Sequence, residues 1–135
     1  MTETLRHARC ACGAVHLEAQ GEPARSMLCS CADCRRKTGS AYNWSLYWPE
    51  AAIIVTGATR SFSRPAQGGR SMEMNFCPTC GSSLWWRLDA FPGEIGVGGG
   101  FFDTDDLPPP TVAYWTKGRP DWALDLATIP ARVRQ

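Results

Sequence analysis

Seven cysteines in three tight clusters constrain this chain more than any other feature of its sequence. They form a C-x-C, a C-x-C-x-x-C and a C-x-x-C motif, and in chain order they are Cys10, Cys12, Cys29, Cys31, Cys34, Cys77 and Cys80. Their odd number and the lack of an apolar export signal at the N-terminus argue against a disulfide framework, which is typical of exported proteins. Thiolate pairs on tight turns are typical zinc ligands. We therefore expect zinc sites in a soluble, cytoplasmic protein.

The seven thiols divide most simply into a group of four and a group of three. The central cluster can cap one ion from one side, but it leaves no thiol for a second site. The two outer clusters would then build a closed, structural zinc site from Cys10, Cys12, Cys77 and Cys80. Cys29, Cys31 and Cys34 would hold a second zinc with one open position, which is the arrangement of catalytic zinc.

A basic run, Arg35-Arg36-Lys37, follows the central cluster directly. We interpret it as charge that offsets the thiolates, with Arg35 and Arg36 binding a carboxylate of a thiol ligand. The alternative is that all three are solvated surface charges. The formal net charge of the chain is only +1, which argues against a general nucleic-acid binder. No apolar run approaches the roughly 20 residues of a membrane span.

Short segments of alternating polarity dominate the rest of the chain. With 135 residues, residues 1–135 are expected to form a single domain. Strand patterns cover residues 14–20, 42–48 and 71–76, a turn of helix is expected near 32–38, and no longer helix is indicated. Two further segments, 51–56 and 59–63, suggest a hairpin about Gly57, and residues 112–115 suggest a late edge strand. The pattern predicts an all-β domain.

Three motifs resemble the signatures of the glutathione-dependent formaldehyde-activating enzyme family, the GFA-type proteins. They are Cys10-Ala11-Cys12-Gly13, Cys29-Ser30-Cys31-Ala32-Asp33-Cys34 with the basic run and Thr38-Gly39-Ser40 after it, and Phe76-Cys77-Pro78-Thr79-Cys80-Gly81-Ser82. The resemblance implies a β-tent of antiparallel sheets, similar to methionine sulfoxide reductase B, with the same four-plus-three division of zinc ligands. It also implies a carbon–sulfur lyase that joins glutathione and formaldehyde reversibly into S-hydroxymethylglutathione. Family members often have histidine where this chain has Ser30.

Three other functions are compatible with the cysteine pattern. The same scaffold could use a different thiol or aldehyde, or it could be a zinc module that binds a protein partner without catalysis. A redox sensor is the third, because clustered exposed thiolates oxidise readily. The two histidines, His7 and His16, are expected to be surface residues.

Overall fold

The structure is a computed structural model that describes residues 4–134, so residues 1–3 and 135 of the predicted domain lie outside the described residues. Within residues 4–134 the chain forms ten β-strands, one α-helix and several short 3-10 turns. The strands are β1 (Leu5–Arg9), β2 (His16–Gln20), β3 (Arg25–Cys29), β4 (Asn43–Pro49), β5 (Ile53–Thr56), β6 (Arg60–Ala66), β7 (Arg70–Phe76), β8 (Trp85–Leu88), β9 (Glu94–Gly98) and β10 (Val112–Tyr114). The helix α1 (Ala32–Thr38) lies between β3 and β4.

The strands form two sheets. The smaller has three antiparallel strands in the order β1-β2-β5, and the larger has seven in the order β10-β3-β4-β9-β8-β7-β6. All neighbours in the larger sheet are antiparallel except β10, which runs parallel to β3 at the edge. The prediction of an all-β fold built from antiparallel sheets is confirmed, as is the late edge strand. In the described part of the chain, none of the helices has both the length and the apolar character needed to cross a membrane.

The main hydrophobic core contains side chains from both sheets. Alternation in β2 buries Leu17 and Ala19, and alternation in β4 directs Leu46 and Trp48 into the same core. The half-buried Trp44 packs against this core as well. The alternating strand patterns predicted within residues 14–20 and 42–48 are therefore confirmed in β2 and β4, because successive strand residues point to opposite sides of a sheet.

The predicted hairpin about Gly57 is wrong. The strand β5 pairs with β2 in the smaller sheet, whereas β6 pairs with β7 in the larger one. Gly57 lies where the chain passes between the sheets, with a positive φ of 101°. Any Cβ at this position would collide with the carbonyl oxygen of Ala14. The glycine therefore serves a close backbone approach at a crossing between sheets, and not a two-strand turn.

A second apolar cluster lies on the other face of the larger sheet. It contains Met27, Tyr47, Met72 and Trp86. Cys29 shares this face with Met27, since the two are two positions apart in β3 and residues i and i+2 of a strand lie on one face. The helix α1 starts directly after β3 and packs against β4. The larger sheet thus carries the inter-sheet core on one face, and the central cysteine cluster with its helix on the other.

We expect Gly96→Ala to destabilise the protein by about 1–3 kcal/mol, the usual cost of overpacking a buried position. A Cβ on Gly96 would collide with the indole nitrogen of Trp86 and would lie 2.8 Å from Cε1 of Tyr47. Both rings are buried and joined by a hydrogen bond from Trp86 Nε1 to Tyr47 Oη of 3.0 Å, so neither can yield easily. Urea unfolding measures the loss.

Gly100→Ala is the matched control, because Gly100 is exposed and its Cβ would have no neighbour within 4 Å. If the two variants unfold at the same urea concentration, the inference that Trp86 packs tightly against Gly96 is wrong.

Candidate metal centres

The structure brings the seven cysteines together in two groups with the predicted membership. One contains Cys10, Cys12, Cys77 and Cys80, and the other contains Cys29, Cys31 and Cys34. Within each group the sulfur atoms all lie within 4.8 Å of one another. We call them the four-cysteine group and the three-cysteine group.

The four-cysteine group joins the two sheets. Cys10 and Cys12 follow β1 of the smaller sheet, and Cys77 and Cys80 lie between β7 and β8 of the larger one. Cys10 and Cys77 are buried in the inter-sheet core, whereas Cys12 and Cys80 are exposed. One ion held by all four sulfurs would therefore fasten the sheets together at the edge of their shared core.

Two similar turns position these four sulfurs. In the first, the amide of Cys10 donates to the carbonyl of Val15, and the amide of Gly13 donates to the carbonyl of Cys10. In the second, Cys77 and Gly81 form the corresponding bonds, to Ser82 and to Cys77 respectively. Gly13 and Gly81 both have positive φ, 80° and 79°, which glycine adopts without strain. The turns recur because the chain must reverse tightly while both of its thiols face the same central point.

The distances within the four-cysteine group suit tetrahedral zinc. Zinc–sulfur bonds of about 2.3 Å in a tetrahedron place neighbouring sulfurs about 3.8 Å apart. The Cys10–Cys12 and Cys12–Cys77 sulfurs are each separated by 3.7 Å. The amide of Val15 also donates to the Cys10 sulfur at 3.3 Å, a contact that stabilises a thiolate. All-thiol ligation and this spacing together fit a closed zinc site.

The three-cysteine group is built at the junction of β3 and α1. Cys29 ends the strand, Cys31 is the N-cap of the helix, and Cys34 is buried in its first turn. The Cys31 sulfur accepts a hydrogen bond of 3.3 Å from the amide of Cys34. The helix ends at Gly39, which takes the left-handed conformation typical of this position. Cys29 is only half-buried whereas Cys31 and Cys34 are buried, so Cys29 is the member of the group that solvent reaches.

Hydrogen bonding within the three-cysteine group favours one thiolate. A hydrogen bond with the Cys34 thiol lowers the pKa of Cys29 to about 6, with further lowering by the amide of Cys31 and the charge of Arg64, although burial acts in the opposite direction. The same hydrogen bond, together with burial, raises the pKa of Cys34. Three thiols around a common point, one of them readily ionised, fit a zinc ion with a further position for a ligand.

Two cations approach the three-cysteine group from different elements. Arg64 of β6 forms an ion pair of 3.2 Å with Asp33 and donates to the sulfur of Met72 at 3.5 Å. Lys37 of α1 places its ammonium 2.9 Å from the ring centroid of Trp86. Burial lowers the pKa of Lys37 to about 7, and the charge of Cys34 opposes that shift. The sequence motif indicated Lys37 only as part of a basic run, and it gave no sign of Arg64.

Arg35 and Arg36 lie on the exposed side of α1. Arg35 donates from Nε to the carbonyl of Ser30 at 3.1 Å, so its guanidinium supports the turn between Cys29 and Cys31. A role for either arginine in binding a carboxylate stays a prediction. His7 and His16 are exposed on the smaller sheet, on a different sheet from the three-cysteine group.

Comparison with known proteins identifies a family and a structural neighbour. A family model described as glutathione-dependent formaldehyde-activating enzyme matches residues 5–118. A Rhodobacter sphaeroides protein of known crystal structure is similar to this chain with a TM-score of 0.60 and 23% sequence identity, over 80% of this chain and 98% of its own. At that identity the likeness concerns the fold alone. No curated protein sequence matches significantly.

Proposed function

Because the chain belongs to the glutathione-dependent formaldehyde-activating enzyme family, we propose that it is a zinc-dependent carbon–sulfur lyase. Its substrates are formaldehyde and either glutathione or a similar small thiol. It joins them reversibly into an S-hydroxymethyl hemithioacetal. The observation that carries this proposal is the difference between its two cysteine groups. The four-cysteine group provides a complete tetrahedral set, whereas the three-cysteine group provides one ligand fewer.

The reaction forms one carbon–sulfur bond and transfers one proton. The thiol sulfur adds to the carbon of formaldehyde, and the proton that leaves the thiol is taken up at the former carbonyl oxygen. Zinc held by Cys29, Cys31 and Cys34 would supply a Lewis acid that favours the thiolate form of the substrate. The protein contributes three sulfur ligands on a short strand–helix junction and a cationic surrounding from Arg64 and Lys37.

The fold is compatible with a structural role for the four-cysteine group and a catalytic role for the three-cysteine group. The four-cysteine group fastens the two sheets, so the larger sheet is a rigid support for the three-cysteine group on its outer face. The half-buried Cys29 lets small molecules approach. We place the reaction in the cytoplasm, where thiols are kept reduced and the cysteine groups stay able to bind metal.

The expected activity is an acceleration of exchange between formaldehyde and S-hydroxymethylglutathione. Formaldehyde and glutathione combine without a catalyst, so the measurement is NMR exchange spectroscopy with isotope-labelled formaldehyde, with and without the zinc-loaded protein. We expect exchange that is faster than the spontaneous rate and proportional to protein concentration. A rate equal to the spontaneous one for glutathione would contradict the proposed substrate.

The same assay separates the other functions. Acceleration only with a different thiol or aldehyde would indicate another substrate on the same scaffold. No acceleration with any pair, from protein that retains two zinc ions, would favour a non-catalytic zinc module.

A further inference from the structure

The chain has two lysines, Lys37 and Lys117, and they lie in opposite environments. The ammonium of Lys37 is buried, and among residues 4–134 it has no hydrogen-bond partner. Lys117 is exposed, with its ammonium 5.5 Å from the ring centroid of Trp115. A buried ammonium without a partner is costly, since the protein must replace its hydration. Lys37 therefore needs a source of negative charge.

The ring of Trp86 holds Lys37 in place without neutralising it. Trp86 is fully buried, packs against Gly96 and donates a hydrogen bond from its indole N–H to the hydroxyl of Tyr47. Its ring face is thus fixed beneath the ammonium at 2.9 Å. A cation is stabilised over an aromatic face, but the ring supplies no negative charge to balance the ammonium.

The three-cysteine group is the negative partner that the structure offers. Lys37 follows Cys34 by three residues in α1, and residues three apart on a helix are neighbours, with Cβ atoms about 5–6 Å apart. The other nearby cation, Arg64, is already paired with Asp33. Three thiolates and one zinc dication carry a formal charge of about −1, and a fourth thiolate makes it about −2. The charge near Lys37 therefore becomes more negative when a thiolate joins the group.

We propose that Lys37 is the counter-cation of the three-cysteine group and stabilises the extra negative charge that a thiolate ligand brings to it. This inference rests on the proposed function, because it requires the group to accept a thiolate. It makes Lys37 a positioning residue that acts through the charge of the site. It also distinguishes Lys37 from Arg35 and Arg36, which lie on the exposed side of the same short helix.

The test compares binding of 2-mercaptoethanol to cobalt-substituted protein in the wild type and in Lys37→Met. This thiol has no other charged group, so its thiolate is the only charge it adds. Methionine fills similar space over Trp86 without a charge. Titration is followed by the sulfur-to-cobalt charge-transfer absorption, and metal content and thermal unfolding are measured on the same samples.

We expect Lys37→Met to weaken thiol binding about 10- to 100-fold, the order of magnitude that loss of a unit charge near a partly buried site predicts. Lys37→Arg should restore most of the affinity, because guanidinium also stacks on an aromatic ring. Lys117→Met is the matched control and should bind like the wild type. If Lys37→Met loses metal or folds poorly, the test uses Lys37→Arg alone. Wild-type thiol affinity in Lys37→Arg then supports the inference. A loss of thiol affinity of about 10- to 100-fold in Lys37→Arg overturns it.

Two negative results have different meanings. If 2-mercaptoethanol leaves the spectrum of the wild type unchanged, the group does not accept a thiolate and the proposed function itself is contradicted. If the wild type and Lys37→Met bind the thiol with equal affinity and equal metal content, only the role of Lys37 is overturned.

Discussion

Cys77→Ser is expected to abolish cooperative folding. Cys77 is buried at 1% exposure in the inter-sheet core and belongs to the four-cysteine group. A structural zinc contributes about 10–16 kcal/mol of apparent binding free energy in small domains. This is comparable to or larger than the whole stability of a typical domain, about 5–15 kcal/mol. Weakening the proposed zinc site should therefore remove the cooperative transition in thermal unfolding followed by circular dichroism.

The control for this variant lies in the same turn. Thr79 is exposed between Cys77 and Cys80, and Thr79→Ala should change the free energy of unfolding by less than about 0.5 kcal/mol. A Cys77→Ser protein that unfolds cooperatively at nearly the wild-type temperature would show that the four-cysteine group does not hold the sheets together.

Cys31→Ser is expected to reduce the acceleration of glutathione–formaldehyde exchange by more than about 100-fold, because even changes outside the ligand shell of a metal cost about 10- to 100-fold. The fold should survive. The Cys31 side chain caps α1 by accepting a hydrogen bond from the amide of Cys34 in the first turn, and serine is among the best residues at this position. Serine therefore keeps the helix cap while it removes a thiolate. NMR exchange rates and thermal unfolding are measured on the same preparation.

Comparison with Cys77→Ser makes the result specific. Both variants replace one buried cysteine with serine, but only the loss at position 31 should separate activity from stability. Exchange at the wild-type rate in Cys31→Ser would contradict a catalytic role for the three-cysteine group.

The membership of the two cysteine groups could be predicted from sequence because ligand counting leaves few choices. Three thiols within six residues must bind the same ion, so the two outer clusters can complete a four-ligand site only with each other. The faces of β2 and β4 could be predicted for a similar reason, since alternation within one strand does not depend on which strand lies beside it.

Long-range arrangement was harder to predict. The segments around Gly57 are close in sequence and both form strands, but they belong to different sheets. Local pattern does not show which sheet a strand joins. The sequence likewise presents Arg35, Arg36 and Lys37 as one basic run, whereas successive residues on a helix point about 100° apart. Only the three-residue spacing from Cys34 could have indicated that Lys37 turns toward the buried side.

The pairing of Trp86 with Tyr47 had no signal in the sequence at all. The two residues are 39 positions apart, and their hydrogen bond depends on the strand order β4-β9-β8. Gly96 of β9 lies between them. A glycine in the middle of a strand suggests a close approach, but it does not identify the ring that fills the space.

Zinc content per chain is the most direct test of the division into a structural and a catalytic group. It is measured by elemental analysis of purified wild-type protein and Cys31→Ser, with circular dichroism to establish that each is folded. We expect two zinc ions per chain in the wild type and one in a folded Cys31→Ser protein. Two ions in Cys31→Ser, or loss of its fold together with both ions, would contradict the account.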